Sequence, residues 1–225
     1  MGSIILKDRV LSKNDELALE NRAVFDKRKV WCLNLISSPG AGKTTLIECT
    51  VDRLREKLSI GVLVGDLDTE TDARRVAAHG VAVRQIITGG SCHLNAKTVG
   101  EFLAHFDLES LDVMIIENVG NLVCPTSYHL GEHDRVCLIS APEGNDKPLK
   151  YPCAIHTADL LLLTKTDLAP YTDFNPETVR NSALRIKNSL PVIQLSCKSG
   201  EGLDQWIEWF ESRARSFKDS KEVPS

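Results

Sequence analysis

Ser37-Ser38-Pro39-Gly40-Ala41-Gly42-Lys43-Thr44-Thr45 follows a β-rich apolar run and opens a stretch with helical spacing. Glycines let successive backbone N–H groups turn inward around a phosphate, a lysine at position 43 reaches the outer phosphates, and the Thr44 hydroxyl can ligate Mg²⁺. Ser37 stands where G-x-x-x-x-G-K-[ST] has its first glycine, which leaves Gly40 to supply the turn. Pro39, Gly40, Ala41, Gly42, Lys43, Thr44 and Thr45 are therefore expected to bind nucleotide phosphates.

Thr164-Lys165-Thr166-Asp167 ends a later apolar run and resembles the Asn/Thr-Lys-x-Asp element of GTPases. A carboxylate at Asp167 can accept from both the ring N–H and the exocyclic amine of guanine, and leaving such a site unpaired is costly, so the base is discriminated. The Lys165 stem can lie along the base. Thr164 replaces the commoner Asn. Ser196-Cys197-Lys198, after the next run, supplies a second base loop.

Acidic groups for Mg²⁺ and water stand at the ends of two other runs. Gly65-Asp66-Leu67-Asp68-Thr69-Glu70-Thr71-Asp72 follows one, and Glu117-Asn118-Val119-Gly120 follows the other. Mg²⁺ takes an octahedral shell of oxygens with one or two carboxylates. Asp66, Asp72 and Glu117 are the candidate ligands beside Thr44. With Lys43, they are also the expected catalytic set.

A further group has the chemistry of a softer metal. Cys92-His93 and Cys124 offer thiolate and imidazole donors suited to Zn²⁺ or Ni²⁺. By spacing alone, three unrelated side chains is the plainer reading, because adjacent Cys and His seldom chelate one ion in ideal geometry. Three ligands would leave the shell open, to be completed by water or a two-fold-related copy. The remaining cysteines (Cys32, Cys49, Cys137, Cys153 and Cys197) read as small buried side chains. His129-Leu130-Gly131-Glu132-His133 matches the H-x-x-E-H peptidase signature, but Gly131 interrupts any helix that could present both histidines, so that chemistry is set aside.

These loops need a frame. The chain has 225 residues, with Lys+Arg 27 against Asp+Glu 31, a net charge of -4, and 42% hydrophobic residues. That balance lacks the basic surplus a nucleic-acid binder needs. No apolar run approaches the ~20 residues of a membrane span, and the charged start lacks a secretory signal's apolar core, so a cytoplasmic protein is expected. Odd, scattered cysteines fit free thiols or metal ligands rather than a disulfide framework.

Val30–Ile36, Ile60–Gly65, Leu111–Glu117, Arg135–Ser140, Ala158–Thr164 and Pro191–Ser196 read as strands buried on both faces. Lys43–Leu58, Thr71–His79, Asn95–Phe106, Asn175–Ser189 and Leu203–Phe217 read as helices. The alternation predicts an α/β fold: a mostly parallel sheet covered by helices on both faces, with ligands gathered at the carboxyl ends of its strands. Ser12–Arg22 reads as a helix appended to the sheet. The expected division is an N-terminal helical extension (1–28), a P-loop domain with inserted metal-binding loops (29–217) and a flexible tail (218–225).

Taken together, these stretches resemble the HypB family of hydrogenase nickel-insertion GTPases. The most specific are Cys92-His93-Leu94 and Glu117-Asn118-Val119-Gly120-Asn121-Leu122-Val123-Cys124-Pro125; Asn14-Asp15-Glu16-Leu17-Ala18 with Asn21-Arg22, Gly131-Glu132-His133 and Gly200-Glu201-Gly202-Leu203-Asp204 extend the likeness from about residue 10 to residue 210. The urease-maturation relatives (UreG) typically carry a Cys-Pro-His element, absent here.

The resemblance implies a SIMIBI-like G domain, slow GTP hydrolysis with Mg²⁺, and a Ni²⁺ or Zn²⁺ site of Cys92, His93 and Cys124 at the interface of a nucleotide-dependent homodimer. It also implies nickel delivery to a [NiFe]-hydrogenase large subunit with the metallochaperone HypA, which Leu11–Arg22 could contact. With no Cys before Cys32 and no His before His79, N-terminal nickel binding or storage is not expected. His129 stands where an acidic residue is expected. Alternatives are a urease-type nickel GTPase, a metal-binding scaffold whose dimer nucleotide merely stabilises, and a small-molecule kinase, against which Asp167 speaks.

Overall fold

Runs that are apolar on both faces belong at the centre of a parallel sheet, and the strands come from such runs. The computed structural model describes the backbone of residues 2–67 and 71–220, with side chains from residue 11 onward within those spans. Asp68, Thr69 and Glu70 of the acidic loop, and residues 221–225 of the expected tail, lie outside the described residues.

The strands are β1 (Trp31–Ser37), β2 (Ile60–Asp66), β3 (Ala82–Ile87), β4 (Val113–Glu117), β5 (Asp134–Ser140), β6 (Leu160–Thr164) and β7 (Val192–Gln194). The helices are α1 (Gly2–Arg28), α2 (Lys43–Leu54), α3 (Thr71–Ala77), α4 (Ala96–Leu103), α5 (Lys147–Lys150), α6 (Pro152–Thr157), α7 (Pro176–Ile186) and α8 (Leu203–Ser220). The sheet runs β3-β2-β4-β1-β5-β6-β7 with every pairing parallel. Register is set by alternation: Trp31, Leu33 and Leu35 of β1 pack on α2 and α8, against Leu46, Trp206 and Phe210. On the other face, Cys32 joins Phe25 of α1 and Val99 of α4, while Ile36 joins Ile155 of α6 and Val179 of α7. No described helix is long and apolar enough to cross a membrane.

Several expectations are corrected. β3 was not anticipated, because Arg84 and Gln85 break its apolar run at the sheet edge. The N-terminal helix is longer than 12–22 and is no appendage: Phe25 is fully buried in the core. Asn14 accepts from Ala96 N at 2.9 Å and donates to His129 O at 2.8 Å, and Asn21 donates to Ala96 O at 2.8 Å and Leu130 O at 3.0 Å. These bonds clamp α1 to the start of α4. At the other end, α8 continues through Lys218 to Ser220, into the stretch expected as tail, and Lys218 Nζ donates to Asp112 at 2.9 Å.

The helix after the phosphate loop stops at Leu54 instead of Leu58, since Ser59 already pairs with the Asp112 carboxylate at 2.9 Å on the way into β2. α7 ends at Ile186 instead of Ser189, because the chain already turns to extended backbone at Lys187. Cys153 is exposed, whereas Cys32 and Cys137 are buried and Cys49 and Cys197 pack partly against the core; all are free thiols.

Candidate functional site

The loop between β1 and α2 is a built phosphate cradle. Gly40 (φ 73°) and Gly42 (φ 98°) occupy the left-handed region, the turn expected of Gly40, and α2 starts with no side-chain cap on its first N–H groups. Ser37, in the place of a glycine, has a use: its hydroxyl accepts from Lys43 Nζ at 3.0 Å and donates to Ser38 O at 2.7 Å. Burial lowers the Lys43 pKa. The cradle opens on a cavity of about 400 Å³ lined by Pro39, Gly40, Gly42, Lys43, Thr44, Thr45, Gly65, Asp66, Asp72, Glu117 and Gly120 among others.

Thr44 and Glu117 face one another across this cavity, with Thr44 Oγ1 donating to Glu117 Oε1 at 2.8 Å. Glu117 Oε2 is buried without a partner among the described residues, and burial pushes the carboxyl up to about 7. A divalent cation would reverse that preference, and a hydroxyl with an orphan carboxylate oxygen is a donor set suited to Mg²⁺. Asp66, at the end of β2, and Asp72, in the first turn of α3, line the same cavity. Gly120 closes the wall: a Cβ there would sit 2.9 Å from Pro39 Cα, so only glycine lets the Glu117 loop touch the phosphate loop.

The two loops expected to meet the base adjoin this cavity. A hollow of about 240 Å³, lined by Ala41, Gly42, Thr45, Thr164, Lys165, Asp167, Ser196, Cys197 and Lys198, shares Gly42, Thr45 and Lys165 with the phosphate cavity. Ser196 Oγ donates to Asp167 Oδ1 at 2.6 Å and accepts from the N–H groups of Lys198 and Ser199 at 3.2 and 3.1 Å, which fixes the carboxylate. Thr164, in place of Asn, ties the base strand to the phosphate loop through a 2.7 Å bond to Ala41 O, and Lys165 Nζ reaches Gly40 O at 2.6 Å.

Arg75 was missed by sequence reasoning. It lines the phosphate cavity, gripped by Glu48 (Nε to Oε1 3.0 Å, Nη2 to Oε2 2.6 Å) and Thr45 Oγ1 (3.1 Å). Its spacing of one helical turn from Asp72 was the available signal.

Cys92, His93 and Cys124 come together, with one donor atom of each lying within 4.8 Å of the others. The Cys92–His93 arm lies between β3 and α4 and is shaped by Thr88 Oγ1 to Ser91 O (2.7 Å) and Ser91 Oγ to His93 O (3.1 Å). Cys124 opens a short 3₁₀ turn, Cys124–Ser127, with Pro125 next to it. The His93 ring lies 3.9 Å from that of Tyr128, and burial lowers its pKa, favouring the neutral imidazole that ligates metals. A hydrogen bond with the Cys92 thiol, then burial, raises Cys124; a bound cation would oppose both. Three half-buried donors leave a coordination position open. The H-x-x-E-H residues make no such site: His129 is exposed, Glu132 is paired with Arg135 at 2.5 Å, and His133 bonds Asp26 at 3.2 Å and Cys32 N at 2.9 Å.

Comparison with known proteins places these features in context. Residues 32–194 match the family model for the CobW/HypB/UreG nucleotide-binding domain. The chain is 47% identical to the hydrogenase maturation factor HypB of Azotobacter vinelandii, covering 92% of this chain and 68% of that one. It is 39% identical to the probable hydrogenase maturation factor HypB of Methanocaldococcus jannaschii, covering 97% and 99%. Among solved structures, HypB from Helicobacter pylori in complex with nickel superposes with a TM-score of 0.86 at 37% identity, covering 91% of this chain and 96% of that one.

Proposed function

The chain belongs to the HypB family of hydrogenase maturation factors, a CobW/HypB/UreG-type P-loop GTPase family, and from that premise we propose that it is a GTP-driven nickel metallochaperone serving [NiFe]-hydrogenase maturation. The observation that carries the reading is the continuity of one loop. Glu117 faces Thr44 in the phosphate cavity, Gly120 touches Pro39, and the same segment runs on to Cys124 in the Cys92/His93/Cys124 cluster. A change in phosphate contacts that shifts this loop shifts a thiolate donor with it, so metal affinity depends on the nucleotide and, by linkage, the reverse.

Lys43 holds the outer phosphates in a buried, low-dielectric site where its charge counts for more than in water. Thr44 and Glu117, with Asp66 and Asp72 alongside, hold Mg²⁺, which when bound neutralises charge on the phosphate oxygens. Asp167 reads guanine. Turnover is slow, about 10⁻⁴ to 10⁻² s⁻¹, as for other isolated GTPases, and serves timing.

Ni²⁺ is the cargo, with Zn²⁺ a competitor for the same soft and borderline donors. Three protein donors leave the coordination shell one short, and in this reading a second copy of the chain completes it; Val123, next to Cys124 in sequence, is an exposed apolar side chain available to such a contact. Leu19, 70% exposed on α1, lies within the Leu11–Arg22 surface offered to HypA. The test is Ni²⁺ and Zn²⁺ affinity with GDP and with a non-hydrolysable GTP analogue. Distinct constants in the two states are expected, and identical ones overturn the switch in favour of a scaffold.

A further inference from the structure

Asn34, midway along β1, has a wholly buried polar side chain, and it belongs to a chain of buried polar groups that leads from the nucleotide loop to the metal cluster. We infer that Asn118, linked through Asn34 to Glu132 and Arg135, is the positioning residue by which the nucleotide loop moves both arms of the Cys/His cluster together. The inference rests on the nickel-switch reading above.

Asn118 follows Glu117 and is 1% exposed. Its Oδ1 accepts from Val119 N at 3.0 Å and from Leu94 N at 3.2 Å. Leu94 is the residue after His93, so the Cys92–His93 arm hangs from a side chain of the nucleotide loop. In the other direction Asn118 Nδ2 donates to Asn34 Oδ1 at 3.3 Å, and Asn34 Nδ2 donates to Glu132 Oε1 at 3.1 Å. That carboxylate accepts from Arg135 Nε at 3.0 Å, and Arg135 grips Thr126 O and Tyr128 O, both at 3.2 Å. Thr126 sits two residues after Cys124, and Tyr128 packs on the His93 ring. One end of the network thus holds the Cys92–His93 arm and the other holds the Cys124 arm.

Burial makes this arrangement two-state rather than elastic. A shift of Asn118 that abandons Leu94 N and Asn34 leaves buried polar groups unpaired, at about 1–3 kcal/mol each. The loop and both arms therefore move together or stay together. Apolar side chains at these positions would pack the sheet without that penalty, so the polar chain is better explained by coordination of movement than by stability.

The experiment titrates Ni²⁺ alone into the full chain and its Asn118→Ala and Asn34→Leu variants, each saturated in turn with GDP and with a non-hydrolysable GTP analogue. Wild type is expected to show an affinity ratio between the two states of about 5- to 150-fold, falling to within about 2-fold of unity in both variants. Asn34→Leu, at a position that does not line the phosphate cavity, covers the case in which Asn118→Ala does not fold, and the ratio is read at nucleotide saturation so that it does not depend on turnover. A purely structural role would weaken Ni²⁺ binding equally in both states and preserve the ratio, and that result overturns the inference while leaving the switch intact. A wild-type ratio of one overturns both.

Discussion

Thr44 Oγ1 and Glu117 Oε1 lie 2.8 Å apart, joining the first turn of α2 to the end of β4. The two elements are brought together because β1, which leads into the phosphate loop, pairs with β4 in parallel register from Trp31↔Val113 to Leu35↔Glu117. The contact therefore follows from strand order, and it sets a hydroxyl and a half-satisfied carboxylate where the phosphates are expected.

Replacing Glu117 by Gln keeps an acceptor for Thr44 and removes the charge. The Mg²⁺ concentration giving half-maximal GTP hydrolysis is expected to rise at least about 10-fold, the scale on which even indirect support of a metal ligand acts. Magnesium titrations of turnover check this, and an unchanged half-maximal concentration removes Glu117 from the Mg²⁺ set.

Lys43 is 8% exposed, and its buried ammonium leans on a neutral Ser37 hydroxyl. Lys43→Ala is accordingly expected to leave the nucleotide-free thermal midpoint unchanged or higher, while GDP affinity falls by about 10- to 150-fold, the value of a charge-assisted contact. Calorimetry and fluorescent-GDP titration measure the two effects separately. Undiminished GDP affinity would remove Lys43 from the phosphate site.

Asp167→Asn exchanges a carboxylate for an amide at the position held by Ser196. Guanine offers two N–H donors there, whereas xanthine offers an N–H and a carbonyl, which an amide can match. GTP affinity is expected to fall about 10- to 150-fold and XTP affinity to rise. Competition between the two nucleotides reads the exchange directly; a variant that still prefers GTP shows that Asp167 does not read the base.

The glycine turn that leads into Lys43 and the strands buried on both faces were legible because each is local: glycines and lysine at fixed offsets, or unbroken apolar runs. β3 was not, since an edge strand with Arg84 and Gln85 inside it has no such run. The full reach of α1 was hidden because two residues facing its neighbours, Asn14 and Asn21, are polar and are satisfied by carbonyl and amide groups far along the chain. Asn34 and Asn118 were obscure for the same reason. Arg75 lacked a motif, and only the three-dimensional approach of Glu48 and Thr45 locates it.

Burial, reinforced by the positive charge of Arg22, lowers His133 to about 4, although Asp26 pulls in the opposite direction. Its neutral form is the one that fits, with Nδ1 accepting from Cys32 N. The folded chain thus binds fewer protons than the unfolded chain between about pH 4 and the ordinary histidine value near 6.5. The contribution is fully present above about pH 6.5 and is lost as pH falls toward 4, at most about 3 kcal/mol before allowance for partial solvent contact. Urea unfolding from pH 7 to 4 should show this slope in wild type and a flatter one in His133→Gln; equal slopes would place the acid sensitivity elsewhere.

Cys124 differs from Cys92 and His93 in sitting on the loop that also carries Glu117, so its removal should affect both metal affinity and its control by nucleotide. Structural four-ligand zinc sites bind with about 10–16 kcal/mol, so one ligand of a smaller set is worth roughly 2–4 kcal/mol. Cys124→Ala is therefore expected to weaken Ni²⁺ binding about 100-fold, with the residual affinity of Cys92 and His93 far less sensitive to the nucleotide. Cys153→Ala, at an exposed thiol on α6 outside the cluster, provides the control and should change neither quantity. Nickel titrations of both variants with GDP and with the GTP analogue decide the matter. If Cys124→Ala binds nickel as wild type does, the three donors share a surface without sharing an ion, and the nucleotide loop has no metal to move.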